Sequence, residues 1–323
     1  MRKKRVGVLR GGPSSEYEVS LKTGETILKN LPEKYEGVDI FVDKEGAWHV
    51  QGVRHEPNKA VKKVDVIFNA MHGEYGEDGT VQEFLDNLDV PYTGSGPFAS
   101  RLAMNKALTK SFLEKEGIQT PKYLMLRKED YRPDIAIKLF REFPQPSVVK
   151  PLAKGSSVGV SIAKNFPSLE IALDKAFAIS DQIIIEEFIP GKEATCGVVE
   201  NLGGNRYLAL TPIEIIPPGS NEFYDYESKY ISDDTQYLLP GNFSDVEKEK
   251  IRNISALAHK SLGLRHYSRS DFIVSPKRGV YFLEINTLPG MTSHSLMPKS
   301  VEKEGYSLTQ FIDHLLTLAL SGR

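Results

Sequence analysis

The stretch FLEINTLPGMTSHSL, residues 282–296, places Glu284 and Asn286 two positions apart between apolar residues. Side chains two apart on a strand point to the same face, so this carboxylate and this carboxamide face the same space. The turn-rich connection SPKRG joins the strand to SDFIV, which predicts a hairpin that brings Asp271 beside them. Oxygen-only ligand sets suit Mg²⁺ or Mn²⁺. An accidental polar pair on a solvated strand face is the alternative, and the apolar flanks favour the metal site.

The segment VVKPLAKGSSVG, residues 148–159, is a second candidate for chemistry. Lys150 ends an apolar strand, and the Gly/Ser loop that begins at Lys154 offers backbone N–H groups and hydroxyls that could cradle a phosphate. The chain contains no GxxxxGK[ST] pattern, so this loop is not a P-loop. A plain hairpin turn is the alternative. The lysines at both ends of the loop favour an anion ligand.

Three other polar features are ambiguous when each is taken alone. Glu16 lies in the predicted first turn of a helix, where a carboxylate stabilises the helix dipole whatever its function. His72 directly follows an apolar strand, and isolated histidines are more often structural groups than catalysts. The aromatic and charged loop FYDYESKY, residues 223–230, is consistent with either a lid over a site or a surface packing loop.

Composition limits the classes of function that the chain can have. With 323 residues and a formal charge of −2, it is an ordinary globular protein without the overall charge that would attract nucleic acid or a membrane surface. The single cysteine, Cys196, excludes an internal disulfide and a cysteine-rich zinc site, and a buried structural thiol is expected. No apolar run reaches membrane-spanning length. We therefore expect a cytoplasmic protein.

The elements that must position these residues begin with an α/β lobe. RVGVL and VDVIFNAM read as buried strands, and Ser15 and Glu18 are spaced as a capping box before a helix that runs to about Leu31. TVQEFLDNL carries apolar residues at helical spacing. The turn PYTGSGP, residues 91–97, closes this first lobe.

The rest of the chain predicts two more lobes. Residues 98–116 read as one helix, PDIAIKLFREF as another, and two β-rich runs flank the Gly/Ser loop. IIIEEF, ATCGVV and YLALTPIEI read as strands, followed by a helix near 245–262 and the SDFIV/GVYFLEIN hairpin. The predicted lobes are residues 1–97, 98–185 and 186–323.

Seven segments, taken in order, resemble the D-alanine:D-alanine ligase family of the ATP-grasp superfamily over essentially the whole chain. They are GGPSSEYEVSL, HGEYGEDGTVQ, PYTGSG, VVKPLAKGSSVGVS, FYDYESKYISDDTQY, RSDF and LEINTLPGMTSHSL. The resemblance implies an α/β ATP-grasp fold with a Rossmann-like N-terminal lobe. It also implies ATP-dependent joining of two D-alanines through a D-alanyl phosphate, for peptidoglycan precursor synthesis. A D-alanine:D-lactate ligase or another ATP-grasp carboxylate ligase is the alternative.

The resemblance assigns ligands for ATP and for two Mg²⁺ (or Mn²⁺) ions. Asp271, Glu284 and Asn286 match the family's metal ligands, with Glu284 bridging both ions. Lys106 and Lys150 match lysines that hold the ATP phosphates, and Glu193 matches a ligand of the ribose hydroxyls. The remaining residues implied in nucleotide binding are Gly155, Ser156 and Ser157 of the phosphate lid, Glu186, Glu187, Phe188 and Ile189 of the adenine hinge, and Lys229.

The resemblance also assigns the amino-acid substrates. Glu16 matches the acid that anchors the first D-alanine's ammonium, in a network with Ser156 and Tyr230, and His72 lies beside that substrate. Arg269 and the Gly290 N–H match the groups that stabilise the tetrahedral oxyanion. Ser295 and Leu296 match the cradle for the second carboxylate. Tyr230 favours an amine over a hydroxyl nucleophile, and a homodimer is expected.

Overall fold

A computed structural model of the chain describes residues 2–153, 159–217 and 235–322. These residues form three separate sheets with helices packed around them, which confirms the predicted α/β class. The strands are β1 Lys4–Gly11, β2 Tyr35–Val42, β3 Trp48–Val50, β4 Val53–His55, β5 Val66–Asn69, β6 Tyr123–Arg127, β7 Ser147–Pro151, β8 Ser161–Ala163, β9 Gln182–Glu187, β10 Lys192–Leu202, β11 Asn205–Ala209, β12 Ile213–Ile216, β13 Gln236–Leu238, β14 Tyr267–Ser275 and β15 Gly279–Asn286.

Ten α-helices lie in the described residues. They are α1 Tyr17–Asn30, α2 Pro57–Val61, α3 Thr80–Asp86, α4 Pro97–Met104, α5 Lys106–Lys115, α6 Pro133–Glu142, α7 Phe166–Ile179, α8 Asp245–Ser261, α9 Leu296–Lys303 and α10 Leu308–Leu320. None of them is both long enough and apolar enough to cross a membrane.

The first sheet has the strand order β4-β3-β2-β1-β5, and β1 is parallel to both β2 and β5. Val6, Val8 and Phe68 on the parallel strands are fully buried, as expected for a sheet covered on both faces. Loops at the carboxyl ends of parallel strands commonly form binding sites. Because β1 and β5 are parallel, the loops that follow them, which carry Glu16 and His72, lie at the same edge of the sheet.

The predicted capping box at the start of α1 is wrong. The N-cap residue is Glu16 rather than Ser15, and no side chain caps the helix. The neighbouring Ser14 hydroxyl instead accepts a hydrogen bond from the Glu16 N–H at 2.9 Å and donates to the His72 carbonyl at 2.6 Å. A hydroxyl next to the predicted cap therefore joins the loop after β1 to the loop after β5.

The single helix predicted for residues 98–116 is also wrong, because the chain breaks at Asn105. Asn105 has an extended backbone, and its side chain accepts from the Leu108 N–H at 3.0 Å, which caps α5. The break starts a new helix at Lys106. It thereby sets which face of α5 carries the lysines that follow.

The second sheet has the order β6-β9-β7-β8, and the third has the order β13-β12-β10-β14-β15 with β11 beside β10. β14 and β15 are antiparallel, with Asp271 opposite Glu284 and Arg269 opposite Asn286. This register confirms the predicted hairpin.

The apolar core crosses the predicted lobe boundaries. Val6 and Phe68 of the first sheet share one cluster with Phe311 and Leu315 of α10. Leu113 of α5 packs in the cluster of the third sheet, whereas Ala107 packs against Leu152 and Ile184 beside the second sheet. Helix α5 therefore connects the second and third sheets. The boundaries at 97 and 185 remain predictions, and β9 extends to Glu187.

Candidate active site

A cleft between the second and third sheets brings together most of the residues that the sequence predicted for nucleotide binding. We call this space the nucleotide cleft. Its polar and charged lining consists of Lys106, Lys150, Glu186, Glu187, Glu193, Asp271 and Glu284, and its apolar walls include Val148, Ile162, Phe188, Ile189, Ile215, Phe272 and Leu283. An apolar slot with a charged end has the features expected of a site for a base that carries phosphates.

The lysines of the nucleotide cleft already lie against carboxylates. Lys150 Nζ is 2.8 Å from Glu186 Oε2, and Lys106 Nζ is 3.3 Å from Glu284 Oε2. Burial raises the pKa of Glu186, but the nearby charges of Lys110 and Lys150 more than offset this effect and hold that pKa below its usual range. Burial lowers the pKa of Lys150, but the charges of Glu186 and Glu284 raise it by more, so the net shift of this pKa is upward. The Lys150–Glu186 pair is therefore ionised.

Lys110 is a residue of this charged group that the sequence interpretation missed. Its side chain is fully buried, and its Nζ lies 3.1 Å from Glu186 Oε1. It follows Lys106 by four positions, so both lysines lie on the same face of α5, and both are buried. Two lysines at this spacing on the inner face of a helix were the signal that could have found it.

The predicted adenine hinge consists of the last two residues of β9 and the two residues that follow it. Glu187 accepts hydrogen bonds from Arg278 Nη1 and Nη2 at 2.9 and 3.1 Å and from the Lys122 N–H at 3.0 Å. The N–H groups of Glu187 and Phe188 donate to the Lys122 and Pro146 carbonyls. Both N–H groups are therefore occupied, and main-chain contacts of these two residues with an adenine base would have to use their carbonyl oxygens.

The predicted metal ligands lie on one face of the β14–β15 hairpin. Residues directly opposite each other on antiparallel strands project to the same side, so Asp271 and Glu284 are neighbours. Asp271 accepts from Thr195 Oγ1 at 2.6 Å and from Arg269 Nε and Nη2 at 3.1 Å each. Asn286 Oδ1 accepts from the Leu288 N–H at 2.9 Å.

This donor set fits a hard divalent cation. No three His, Cys, Asp or Glu side chains of the described residues lie together in a way that could hold a metal ion. A third oxygen ligand beside Asp271 and Glu284 would therefore come from the amide of Asn286. Two carboxylates with one amide oxygen suit Mg²⁺ or Mn²⁺ and do not favour zinc.

Ser14, Glu16, His72 and Glu77 form a second polar group, which we call the first-lobe cluster; all four are buried. His72 Nε2 lies 2.9 Å from Thr23 Oγ1, and its Nδ1 lies 3.2 Å from Glu77 Oε1. A Cβ added at Gly73 would meet Glu16 Oε1 at 3.3 Å, so the Glu16 carboxylate lies against the loop that carries His72. The cluster therefore joins the loops after β1 and β5.

Glu77 is the second residue that the sequence interpretation missed. Burial raises its pKa to about 8, and the charges of Arg269 and Lys106 oppose that shift. Burial also lowers the pKa of His72, partly opposed by the Glu16 charge. The contact between His72 and Glu77 is thus a hydrogen bond between neutral groups near pH 7. Because the loop HGEYGEDG contains three acids, its sequence alone does not identify the buried one.

The turn after β15 brings the predicted acceptor residues together. A Cβ at Gly290 would come within 2.9 Å of Ser295 Oγ, so these two residues lie against each other. Ser295 is the N-cap residue of α9, and Leu296 is its first helical residue. A hydrogen bond with the backbone of Leu288, in the same turn, raises the pKa of His72. The turn therefore lies beside the first-lobe cluster.

Five predicted site residues lie outside the described parts of the chain. They are Gly155, Ser156, Ser157, Lys229 and Tyr230.

Comparison with known proteins gives consistent matches over the whole chain. The family descriptions "D-ala D-ala ligase N-terminus" and "D-ala D-ala ligase C-terminus" match residues 5–60 with 49–95 and residues 112–317. The D-alanine–D-alanine ligase of Pelotomaculum thermopropionicum is 37% identical over 98% of this chain and 96% of its own length.

Solved structures also match. The D-alanine–D-alanine ligase from Bacillus anthracis complexed with ATP is 34% identical, with a TM-score of 0.80 over 100% of this chain and 98% of its own. The VanG D-Ala:D-Ser ligase from Enterococcus faecalis is 26% identical, with a TM-score of 0.84 over 98% and 100%.

The three sheets and the cleft between the last two define an ATP-grasp ligase fold with an additional N-terminal α/β lobe. With family matches over most of its length and relatives above 30% identity, the chain belongs to the D-alanine–D-alanine ligase family.

Proposed function

We propose that the chain joins two D-alanines to D-alanyl-D-alanine for peptidoglycan precursor synthesis, using ATP and passing through a D-alanyl phosphate. The observation that carries this proposal is the nucleotide cleft. It combines phosphate-binding lysines with an all-oxygen donor set, and Arg269 links it to the first-lobe cluster through its charge effects on Glu77 and His72. Such a site can hold a triphosphate next to a small amino acid.

The first step transfers the γ-phosphoryl group to the first substrate. A carboxylate oxygen of D-alanine attacks the γ-phosphorus, and the bond to the ADP oxygen breaks. Lys106 and Lys150 hold the phosphates and exchange part of their contact with Glu284 and Glu186 for phosphate oxygens. Asp271, Glu284 and Asn286 would hold the Mg²⁺ ions, which would neutralise charge on the transferring group.

The first-lobe cluster selects the first amino acid. Glu16 accepts hydrogen bonds from the substrate ammonium, and the neutral His72–Glu77 pair fills the space beside it without adding charge. A single carboxylate facing a single ammonium leaves the substrate carboxylate free to point towards the nucleotide. Ser156 and Tyr230 complete this network in our proposal.

The second step forms the peptide bond. The amine of the second D-alanine attacks the acyl carbon, the C–O bond to phosphate breaks so that phosphate leaves, and the proton lost by the amine is released to water. Arg269 and the Gly290 N–H stabilise the negative oxygen of the tetrahedral intermediate, as fixed donors do in other acyl transfers. Ser295 and the Leu296 N–H bind the second carboxylate, because the N-terminus of α9 favours an anion.

The identity of the second substrate is the finer part of the proposal. A likeness to a D-Ala:D-Ser ligase adds D-serine to D-lactate among the alternatives. Tyr230 favours an amine nucleophile, so we expect Tyr230→Phe to let D-lactate compete better. An unchanged ratio of depsipeptide to dipeptide at pH 7 would remove Tyr230 from the specificity argument.

Phosphate release tests the reaction directly. With ATP and Mg²⁺, D-alanine should release phosphate and yield the dipeptide, whereas L-alanine should give background rates. D-serine and D-lactate in competition with D-alanine should yield minor products. Binding of ATP without release of phosphate in the presence of D-alanine would instead favour a nucleotide-binding protein that lacks this activity.

We also propose that the enzyme is a cytoplasmic homodimer. The buried thiol of Cys196 is compatible with a reducing compartment. Sedimentation equilibrium should give twice the chain mass of 36.1 kDa. A single-chain mass at micromolar concentration would contradict the dimer.

A further inference from the structure

Lys110 has no role in the reaction described above, yet it is one of the most buried charged groups of the chain. Its side chain has no exposed surface, and a lysine is almost never fully buried unless it is paired. Its partner is Glu186, whose side chain is only 1% exposed. Among the described residues, neither Lys110 Nζ nor Glu186 Oε1 has a hydrogen-bond partner outside this ion pair.

Each oxygen of the Glu186 carboxylate faces a different lysine. Oε1 lies 3.1 Å from Lys110 Nζ, and Oε2 lies 2.8 Å from Lys150 Nζ. The two lysines differ in position, because Lys110 is fully enclosed while Lys150 lines the nucleotide cleft. Burial lowers the pKa of Lys110, and the Glu186 charge opposes that shift. With both lysines protonated, the two ammonium groups and one carboxylate leave one net positive charge, and Lys150 is the member of this triad that can present it to a ligand.

We propose that Lys110 is a positioning residue for nucleotide binding. Its positive charge neutralises the negative charge of the Glu186 carboxylate on the buried side, so that Lys150 presents a net positive charge to the ATP phosphates. Without Lys110, Lys150 and Glu186 would form a neutral pair. The carboxylate at 2.8 Å would then cancel much of the attraction that the ammonium exerts on a phosphate. This inference rests on the nucleotide site proposed above.

Helix α5 carries the lysines that pair with carboxylates on both sides of the nucleotide cleft. Its Lys106 pairs with Glu284 of the third sheet, and its Lys110 pairs with Glu186 of the second sheet. The two lysines are four positions apart on its buried face, and Ala107 between them packs near both Leu152 and Ile184. One helix therefore sets the charge on both walls of the nucleotide cleft.

The experiment compares Lys110→Met with wild type by calorimetric binding of ATP, AMP and adenosine in the presence of Mg²⁺. We expect ATP affinity to fall by about tenfold or more, AMP affinity to fall less, and adenosine affinity to change by less than about twofold. The matched control is Lys115→Met, which removes the same charge from the exposed face of α5 and should change ATP affinity by less than about twofold.

The double variant Lys110→Met/Glu186→Gln separates a charge role from a merely structural one. It restores a net positive charge on Lys150, so its preference for ATP over adenosine should return towards the wild-type ratio. Unchanged ATP affinity in Lys110→Met would overturn the inference, as would an equal loss of ATP and adenosine that the double variant does not reverse. If Lys110→Met does not fold, Lys110→Gln, which also removes the charge, replaces it in the same comparison. A wild-type protein that binds none of the three ligands would overturn the proposed nucleotide site itself.

Discussion

In the nucleotide cleft every buried lysine lies against a carboxylate, whereas in the first-lobe cluster a histidine and a glutamate share one hydrogen bond without net charge. The pKa of Glu186 is lowered and that of Lys150 is raised, so this pair is ionised. Burial instead raises the pKa of Glu77 to about 8 and lowers that of His72. Burial has the larger effect on the pKa values of Glu77, His72 and Lys110, whereas nearby charges of opposite sign outweigh burial at Glu186 and Lys150.

This difference matches what each region has to bind. A triphosphate with metal ions brings several charges, and paired lysines and carboxylates can exchange partners with it at low cost in desolvation. In the proposed reaction D-alanine brings one ammonium and one carboxylate, so a single carboxylate, that of Glu16, is sufficient when the groups around it are neutral. Arg269 lies between the two regions, since it binds Asp271 and also affects the pKa values of Glu77 and His72.

The largest effect is expected in the nucleotide cleft. Glu284→Gln removes the charge of the proposed bridging ligand and weakens its contact with Lys106, so kcat should fall on the order of a thousandfold while the protein stays folded. Steady-state kinetics at saturating Mg²⁺ with circular dichroism checks this. The control Glu302→Gln, an exposed acid of α9, should keep wild-type turnover. Near wild-type turnover of Glu284→Gln would remove the metal assignment.

The junction between the regions gives the second effect. Arg269→Lys keeps the charge but loses the fork that binds Asp271 through Nε and Nη2, so kcat should fall by about a hundredfold, with the KM for ATP changing much less. The measurement is the split between kcat and KM. A change confined to the KM for ATP would place Arg269 with the nucleotide rather than with the acyl transfer.

The first-lobe cluster predicts a pH effect on stability. The folded-state pKa of Glu77, about 8, lies above the unfolded value, so between about pH 4.5 and 8 the folded state binds one more proton and stability falls as pH rises. Relative to Glu77→Gln, the wild type should lose about 1.4 kcal/mol per pH unit between pH 6.5 and 7.5. His72 is present in both proteins, so the protons that it binds in the unfolded state near pH 6.5 cancel in this comparison.

Urea unfolding at three pH values measures that slope. Glu18→Gln is the matched control, because Glu18 is an exposed acid of α1 and should leave the wild-type slope unchanged. Parallel pH curves for wild type and Glu77→Gln would mean that Glu77 is ionised in the folded protein. The contrast between the two regions would then not hold.

The smallest effect is expected at Ser14, whose hydroxyl joins the loops after β1 and β5. Ser14→Ala leaves the buried His72 carbonyl and Glu16 N–H without that partner, which should cost about 1–3 kcal/mol of stability and raise the KM for D-alanine severalfold. The KM for ATP should not change. Ser15→Ala, an exposed neighbour, should stay within about 0.5 kcal/mol of wild type. The reverse order of the two variants would support Ser15 as the helix cap.

Elements with a strong local pattern could be predicted from the sequence. The β14–β15 hairpin follows from two apolar runs around SPKRG, and its register brings Asp271 opposite Glu284 as expected. The nucleotide cleft contains Lys106, Lys150 and Glu186, which are far apart in the chain. They could be predicted to lie together only because the family resemblance assigns all three to nucleotide binding. Spacing alone would not have connected them.

The residues that were missed depend on tertiary packing. Ser14 and Ser15 are equally good helix caps by type, and only the approach of the loop after β5 decides that Ser14 is used to join the loops. Glu77 is one of three acids in its loop, and its burial is set by the fold. Lys110 had a readable signal in its spacing from Lys106, but its partner Glu186 lies on another sheet.

The central claim is that the first D-alanine is activated as an acyl phosphate, and isotope transfer tests it most directly. D-alanine labelled with ¹⁸O in both carboxylate oxygens is incubated with the enzyme, ATP and Mg²⁺, and the phosphate is examined by mass spectrometry. An acyl phosphate intermediate predicts one ¹⁸O in the phosphate for each dipeptide formed, with ADP as the nucleotide product. Unlabelled phosphate, or ¹⁸O recovered in AMP, would contradict it.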